Sequence, residues 1–430
     1  MEAHLDPGAG VSPVDLAAIH AAATAALPAF IADLDRLCSI DCGSYTPEGV
    51  DEVGRFVAAR FRELGAAVEI RPDPAGRLGA TIIGRFDGEP GGGPRVLLIG
   101  HMDTVFDPGT AAARPFRVED GIARGPGVTD MKGGLLTGLY ALAALRSVGP
   151  PAPTGSGAQQ AGRPLAGLPF ERIVYVVNPD EEIGSPTSSP HIREIAATSD
   201  ACLVLECARA NGDFVVSRKG ILDARVTVHG RAAHAGVEPE KGRSAILAAA
   251  DMVTRLHALN GRWPGVTLNV GVIDGGTRPN VVAEQCRFEV DVRGVTREAL
   301  EAAEGEIAAI LASPVVPDVT AEMEEMARWW PMERLERSAR LADHVIALAS
   351  RLGFETSGAA TGGASDANTT AGLGVPSIDG LGPIGGLDHS PGEYLEVDSI
   401  VPRTGLLAAL LLAIGRDPVV ASWRASAAAR

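Results

Sequence analysis

Residues 95–105 read RVLLIGHMDTV. After its arginine, Val96–Ile99 is an unbroken apolar run, as expected for a strand covered on both faces. It delivers Gly100, His101 and Asp103 to its carboxyl end, where ligand sites of parallel α/β sheets gather. Further apolar strands are expected at Gly79–Arg85, Ile173–Asn178, Ala201–Leu205 and Val375–Ile378. Helical periodicity marks residues 14–36, 48–64, 131–147 and 335–352; in the second, Val53, Phe56, Val57, Phe61 and Leu64 recur three and four apart. Alternating helices and apolar strands predict an α/β domain with a mostly parallel central sheet. The stretch PPAPTGSGAQQAGRPLAG at 150–167 reads as a flexible surface loop.

The pattern changes near residue 220. Strands are expected at Ile221–His229, Val266–Ile273, Gln285–Val292 and Asp318–Met323, and helices at Ser244–Leu259 and Arg297–Ser313. That order, β-α-β-β-α-β, is the ferredoxin-like unit. The chain is therefore expected to build one discontinuous domain from 1–218 and 329–430 around an inserted α+β domain at 219–328.

Composition narrows the function. The 430 residues carry 54 acidic against 38 basic side chains, a formal charge of −16. Such a chain lacks the basic footprint that nucleic acid or an anionic membrane requires. Its five cysteines are odd in number and lack zinc-ribbon spacing, so reduced thiols in the cytoplasm are expected. No uninterrupted apolar run reaches the ~20 residues of a membrane span. The start, MEAHLDPGAG, has neither the basic nor the apolar region of a secretory signal.

Five segments carry candidate chemistry. His101 and Asp103 end the first strand. GPGVTDMKGG at 125–134 opens a helix, with Asp130 either its N-cap or a ligand. NPDEEIGS at 178–185 places Glu181 and Glu182 directly after an apolar strand, where adjacent carboxylates repel unless a cation or proton intervenes. Glu206 closes another strand, and His389 lies in the Gly-rich loop GGLDHSP. Imidazole and carboxylate without thiolate suit zinc, cobalt or manganese. Two histidines and three carboxylates suffice for two ions if one carboxylate bridges them, leaving Glu181 as a spare base.

These motifs, with PFRVEDGIAR at 115–124, HAG at 234–236 and TGGASDAN at 361–368, resemble the co-catalytic zinc amidohydrolases. That family includes glutamate carboxypeptidase, aminoacylase, acetylornithine deacetylase and succinyl-diaminopimelate desuccinylase. The resemblance implies a di-zinc exopeptidase-like catalytic domain with a lid and dimerisation domain inserted. It implies two Zn2+ per subunit, with Co2+ or Mn2+ as substitutes. His101 and Glu206 would hold one ion, Glu182 and His389 the other, and Asp130 would bridge them. Asp103 would orient His101, and Glu181 would be the general base and acid. A cis peptide would follow Asp130. From the lid, His234 would polarise the scissile carbonyl in the partner subunit's site, making the unit a homodimer. Asn280, Arg293, Gly362 and Gly363 would contact the substrate, an N-acyl amino acid or dipeptide-like molecule. The glutamate carboxypeptidase branch looks most similar, although no lysine stands where that branch uses one to bind glutamate, and Trp330 replaces its arginine. Trp329 and Trp330 would line an acyl pocket or pack at the domain junction. Two rival readings are an N-acyl amino acid deacylase and a metal-dependent binding protein that has lost catalysis. A serine hydrolase is disfavoured because Gly363-Ala-Ser365-Asp-Ala lacks the G-x-S-x-G spacing.

Overall fold

The computed structural model describes residues 6–88, 91–148 and 167–427. The expected loop at 150–167 lies, but for Gly167, outside the described residues. The chain divides into two compact units: Met1–Val216, Arg334–Ala360 and Ser365–Arg430 form one, Ser217–Glu333 with Thr361–Ala364 the other.

The first unit is built on a six-stranded sheet in the order Ala67–Arg71, Thr81–Asp87, Arg172–Asn178, Arg95–His101, Ala201–Val204, Ser377–Ile378. The last four strands run parallel; the first two are antiparallel additions at one edge. Register does the positioning. His101 pairs with Asn178, and Ile99 with Val204, so three strands release their chains side by side at one end.

The apolar strands are buried on both faces, as the run Val96–Ile99 predicts. Helices Pro13–Cys38, Gly133–Leu145, Glu336–Arg351 and Val397–Arg416 pack together on the core. The first and last are long and apolar enough to cross a membrane by length and composition. Neither holds an uninterrupted apolar run of that length, since averaged hydropathy tolerates breaks such as Pro402 and Arg403; the apolar stretch Leu406–Ile414 reads from sequence as a buried helix, as found. In the last, 78% of the apolar window is buried within the fold. Its Arg403 is fully buried and donates to the carbonyls of Gly380, Gly382 and Gly212.

Several elements lie outside the sequence-based expectations, among them helix Ser189–Ala196, an edge strand and a second sheet. Ala67–Arg71 is a partly exposed edge strand with weak alternation. A second sheet joins Gly385–Gly386, Tyr394–Glu396, Ile122–Arg124 and Arg117–Glu119. Strands of two or three residues carry too little periodicity to read, yet this sheet fastens the His389 loop to the segment leading into Asp130.

The second unit is a four-stranded antiparallel sheet in the order Thr267–Gly275, Gln285–Gly294, Gly220–His229, Thr320–Trp329. Gly220–His229 alternates buried and half-buried residues along its whole length. Helices Ala245–His257 and Arg297–Leu311 cover its apolar face, where Leu222, Val226, Met252, Phe288 and Ile307 form a separate core. This is the ferredoxin-like order that the sequence pattern predicts. Trp330 packs against this core, with the guanidinium of Arg297 3.9 Å and that of Arg328 5.0 Å from its ring.

Asp417, at the carboxyl end of Val397–Arg416, faces helix Glu336–Arg351, and its side chain is 2% exposed. It accepts from Arg340 Nε (2.6 Å) and Nη2 (3.0 Å), pairs with His344 Nε2 (2.8 Å), and accepts from Val419 N (2.9 Å). Burial pushes its carboxyl up, but the bonds from His344 and Arg340 outweigh burial and hold it well below the ordinary range. Breaking such a buried pair costs about 3 kcal/mol or more. Asp417→Asn should therefore lower unfolding free energy by about that much at neutral pH. A folded pKa below the unfolded one stabilises at pH above the unfolded value of ~3.9 and ceases to do so as pH falls through the folded value. The gap between wild type and variant in denaturant melts should be flat above about pH 5 and shrink in more acid buffer; a gap that widens in acid would contradict the pairing.

Candidate metal centre

Three loops meet at the carboxyl end of the parallel strands. His101 is the last residue of its strand and 1% exposed. Glu181 and Glu182 begin a short 3-10 turn after Arg172–Asn178, and Glu206 follows Ala201–Val204. Asp103, wholly buried, organises the turn. Its carboxylate accepts the backbone N–H groups of Glu181 and Glu182 (3.1 Å each) and the hydroxyl of Ser44 (2.7 Å). His101 Nδ1 lies 3.0 Å from the Asp103 carbonyl oxygen and 3.3 Å from Oδ1. The orientation expected from the Asp103 side chain is thus shared with its own backbone, which fixes Nε2 as the outward nitrogen.

Asp130 arrives from the side. The segment Val128–Lys132 is an irregular turn in which Asp130 (φ −116°, ψ 92°) and Met131 (φ −128°, ψ 38°) leave helical geometry, and the Asp130–Met131 peptide is cis. The regular helix begins at Gly133. Asp130 is accordingly no N-cap: its carboxylate faces two imidazoles. Oδ1 is 3.1 Å from His101 Nε2 and Oδ2 is 3.0 Å from His389 Nε2. Gly134 lets the start of that helix lie against the residue before Glu206, since a Cβ there would lie 1.8 Å from the Leu205 carbonyl oxygen.

Each imidazole has a second carboxylate. His101 Nε2 is 3.7 Å from Glu206 Oε1, and His389 Nε2 is 3.1 Å from Glu182 Oε2. Ligand atoms on one tetrahedral zinc, with bonds of ~2.1 Å, stand about 3.4 Å apart. These separations bracket that figure. Two groupings, His101 with Asp130 and Glu182 and His101 with Glu181 and Glu206, keep their candidate ligand atoms within 4.8 Å of one another. Among the described residues Glu182 Oε1 is buried without a hydrogen-bond partner. Such an orphaned anionic oxygen fits a cation.

The electrostatics agree. Burial opposes protonation of His101, yet bonds to Asp103 and Asp130 raise its pKa well above the ordinary value. Bonds to Asp130 and Glu182 raise His389 to about 10. Burial pushes Glu181 well up and Glu182 up. For Asp130 burial also pushes up, but both histidines together pull it below the usual range. Imidazoles whose protonated forms are favoured by carboxylate partners mark a site rich in negative charge, the field that divalent cations neutralise.

Several supporting residues escaped the sequence reading. Glu393 is 2% exposed and accepts N–H groups from Gly127 (2.9 Å), Thr129 (2.9 Å) and Asp130 (3.1 Å), tying the His389 loop to the Asp130 turn. Its only signal was its place four residues after His389 in HSPGE. Asp366 accepts from Ser185 Oγ (2.7 Å) and Asn178 Nδ2, and burial pushes its carboxyl up to about 7. Ser365 Oγ donates to Asp379 (2.6 Å) and caps the helix Asp366–Gly372, so it is engaged structurally.

The other expected site residues belong to the second unit. His234 has an exposed side chain whose Nδ1 accepts from Gly236 N (3.1 Å). Asn280 is exposed. Arg293 pairs with Asp291 (3.1 Å) and donates to the Gly362 carbonyl (3.1 Å), while Arg218 donates to that of Gly363 (3.1 Å). The two glycines thus present engaged carbonyls. All five cysteines are free and buried.

Comparison with known proteins agrees with this architecture. Residues 97–155 match the model of peptidase family M20/M25/M40, and residues 216–319 match a peptidase dimerisation domain. Carboxypeptidase G2 of Pseudomonas sp. is 30% identical over 400 residues, covering 92% of this chain and 91% of that protein. Acetylornithine deacetylase of Myxococcus xanthus is 28% identical over 283 residues, 63% of this chain and 68% of its own. Among solved structures, aminopeptidase PepT from Bacillus cereus has a TM-score of 0.71 at 22% identity, covering 90% of this chain and 98% of that one. The metallo-carboxypeptidase Sso-CP2 from Sulfolobus solfataricus gives 0.63 at 14% identity, with 90% and 99% covered. With a relative this similar along nine-tenths of both sequences, the chain belongs to peptidase family M20/M25/M40 and is a hydrolase.

Proposed function

We propose that this enzyme hydrolyses an amide bond next to a free carboxylate, using two zinc ions held by His101, Asp130, Glu182, Glu206 and His389. Cobalt or manganese would substitute. The observation that carries the reading is Asp130, whose two oxygens face different imidazoles, with Glu206 beside one and Glu182 beside the other. Ions bound there would supply Lewis acidity toward the scissile carbonyl and toward water.

The protein's own groups do the rest. Glu181, held in place through its backbone by Asp103, takes a proton from the attacking water and returns it to the leaving amine. Burial makes its carboxyl proton-avid, and nearby dications would bring it back toward ordinary acidity. His234 of the dimerisation domain would donate to the developing oxyanion in a partner subunit, which requires a homodimer. Asn280, Arg293 and the Gly362–Gly363 turn would receive the substrate's free carboxylate.

The carboxypeptidase relative supports release of a C-terminal amino acid such as glutamate; the deacetylase relative favours an N-acyl amino acid deacylase. The catalytic groups serve both. Five free buried thiols fit a cytoplasmic enzyme.

Three outcomes test this. Glu181→Gln should keep its zinc, counted by elemental analysis, while kcat on an N-acyl amino acid falls about a thousandfold; near-normal turnover, or loss of zinc, would reassign Glu181. A chelator should abolish hydrolysis, and zinc or cobalt should restore it; indifference to the chelator would remove the ions from the reaction. His234→Ala should lower kcat about a hundredfold with zinc content unchanged, and mixing it with Glu181→Gln protein should restore part of the activity if the histidine serves the partner's site. No recovery in mixed dimers would place its action within one subunit.

A further inference from the structure

The open face of the four-stranded antiparallel sheet breaks a local rule. Asp223 and Asp291 lie directly opposite each other on its two central strands, Gly220–His229 and Gln285–Gly294. Like charges in opposed positions destabilise a sheet, and aspartate is a poor strand former. Their outer neighbours in the same row are Asn269 and Ala327, so no cation stands in line with them. Arg225, two residues along from Asp223, is engaged by Glu289 (2.9 Å) and Glu324 (3.7 Å). Where a sequence breaks such a rule without a structural gain, function is the reason to look for.

The partners of the two carboxyls supply one. Asp291 accepts from Arg293 Nε with both oxygens (Oδ1 3.2 Å, Oδ2 3.1 Å). Asp223 is hydrogen-bonded to Asp291, which two carboxyls achieve only when one of them carries a proton. Burial, with the charge of Asp291 after it, pushes the Asp223 carboxyl up, so the proton belongs on Asp223. An ionised carboxylate has about four lone-pair sites, enough for that proton and for Arg293 together.

The far end of the guanidinium is tied as well. Arg293 Nη1 donates to the Gly362 carbonyl (3.1 Å), and Arg218 Nη1 donates to that of Gly363 (3.1 Å). With Nε on Asp291 and Nη1 on Gly362, the plane of Arg293 is fixed at two corners. Its Nη2 donors make no hydrogen bond among the described residues. A guanidinium pinned in this way offers pre-aimed donors to a carboxylate. We propose that Asp291 and Asp223 are positioning residues for substrate binding: Asp223 donates a hydrogen bond to Asp291, and Asp291 holds Arg293 with Nη2 open to the free carboxylate of an N-acyl amino acid. The pair touches no reacting atom and acts through Arg293. The inference rests on the reading above that Arg293 receives that carboxylate.

The test uses the zinc-loaded full chain. The probes are the N-benzoyl derivative of whichever of glutamate, alanine or phenylalanine it releases fastest, and the α-carboxamide of the same compound. Asp291→Ala should raise KM for the acid about tenfold, the scale of one hydrogen bond to a charged group, with kcat within about twofold. The acid-to-carboxamide ratio of kcat/KM should fall by the same factor. Asp223→Ala should lower that ratio about threefold, and Asp223→Asn, which keeps an N–H donor, should recover most of the loss. In an Arg293→Ala background, Asp291→Ala should lower the ratio no further than about twofold. Both side chains stand on the face away from the helices, outside the packed core, and the Asp223 pair decides alone if Asp291→Ala does not fold. Equal losses on acid and carboxamide, or full additivity with Arg293→Ala, would overturn the positioning role while Arg293 keeps its own. A ratio within about twofold of wild type in Arg293→Ala would overturn the Arg293 reading and this inference with it. Failure of the wild type to cleave any of the three acids would overturn the amide-hydrolase reading on which both stand.

Discussion

Repulsion among buried carboxylates is the constraint on which this structure turns. Asp103, Asp130, Glu181, Glu182 and Glu206 crowd one end of a sheet with two imidazoles among them. Left alone, such a cluster would shed charge by taking up protons: carboxylate partners raise both histidines, and burial raises Glu181 and Glu182. The fold pays for crowding with rigid backbone anchors. Asp103 holds the amides of the Glu181–Glu182 turn, Glu393 holds those of the Asp130 turn, and parallel register fixes three strand ends together. Cations would relieve the repulsion that these anchors maintain.

Much of this was legible in the sequence. Unbroken apolar runs such as Val96–Ile99 disclosed buried parallel strands, and the residues just after them disclosed where His101, Glu182 and Glu206 would stand. The ferredoxin-like unit was legible because Gly220–His229 and its neighbours alternate cleanly. What stayed hidden depended on contacts across large sequence distance. Glu393 looks like any loop carboxylate until the amides of residues 127–130 are seen turned toward it. The sheet that carries the His389 loop uses strands too short to have a period. The role of Asp130 was ambiguous in sequence because N-caps and metal ligands favour the same residue; its non-helical backbone excludes the cap, and its two imidazole partners fit the proposed ligand role.

The most direct measurement is the zinc content of chelator-stripped protein after dialysis against zinc, made on wild type and on Asp130→Ala. A bridging Asp130 requires two zinc ions per chain in the wild type and tight retention of neither in the variant. Fewer than one ion per chain in the wild type, or both ions retained without Asp130, would contradict the two-metal centre.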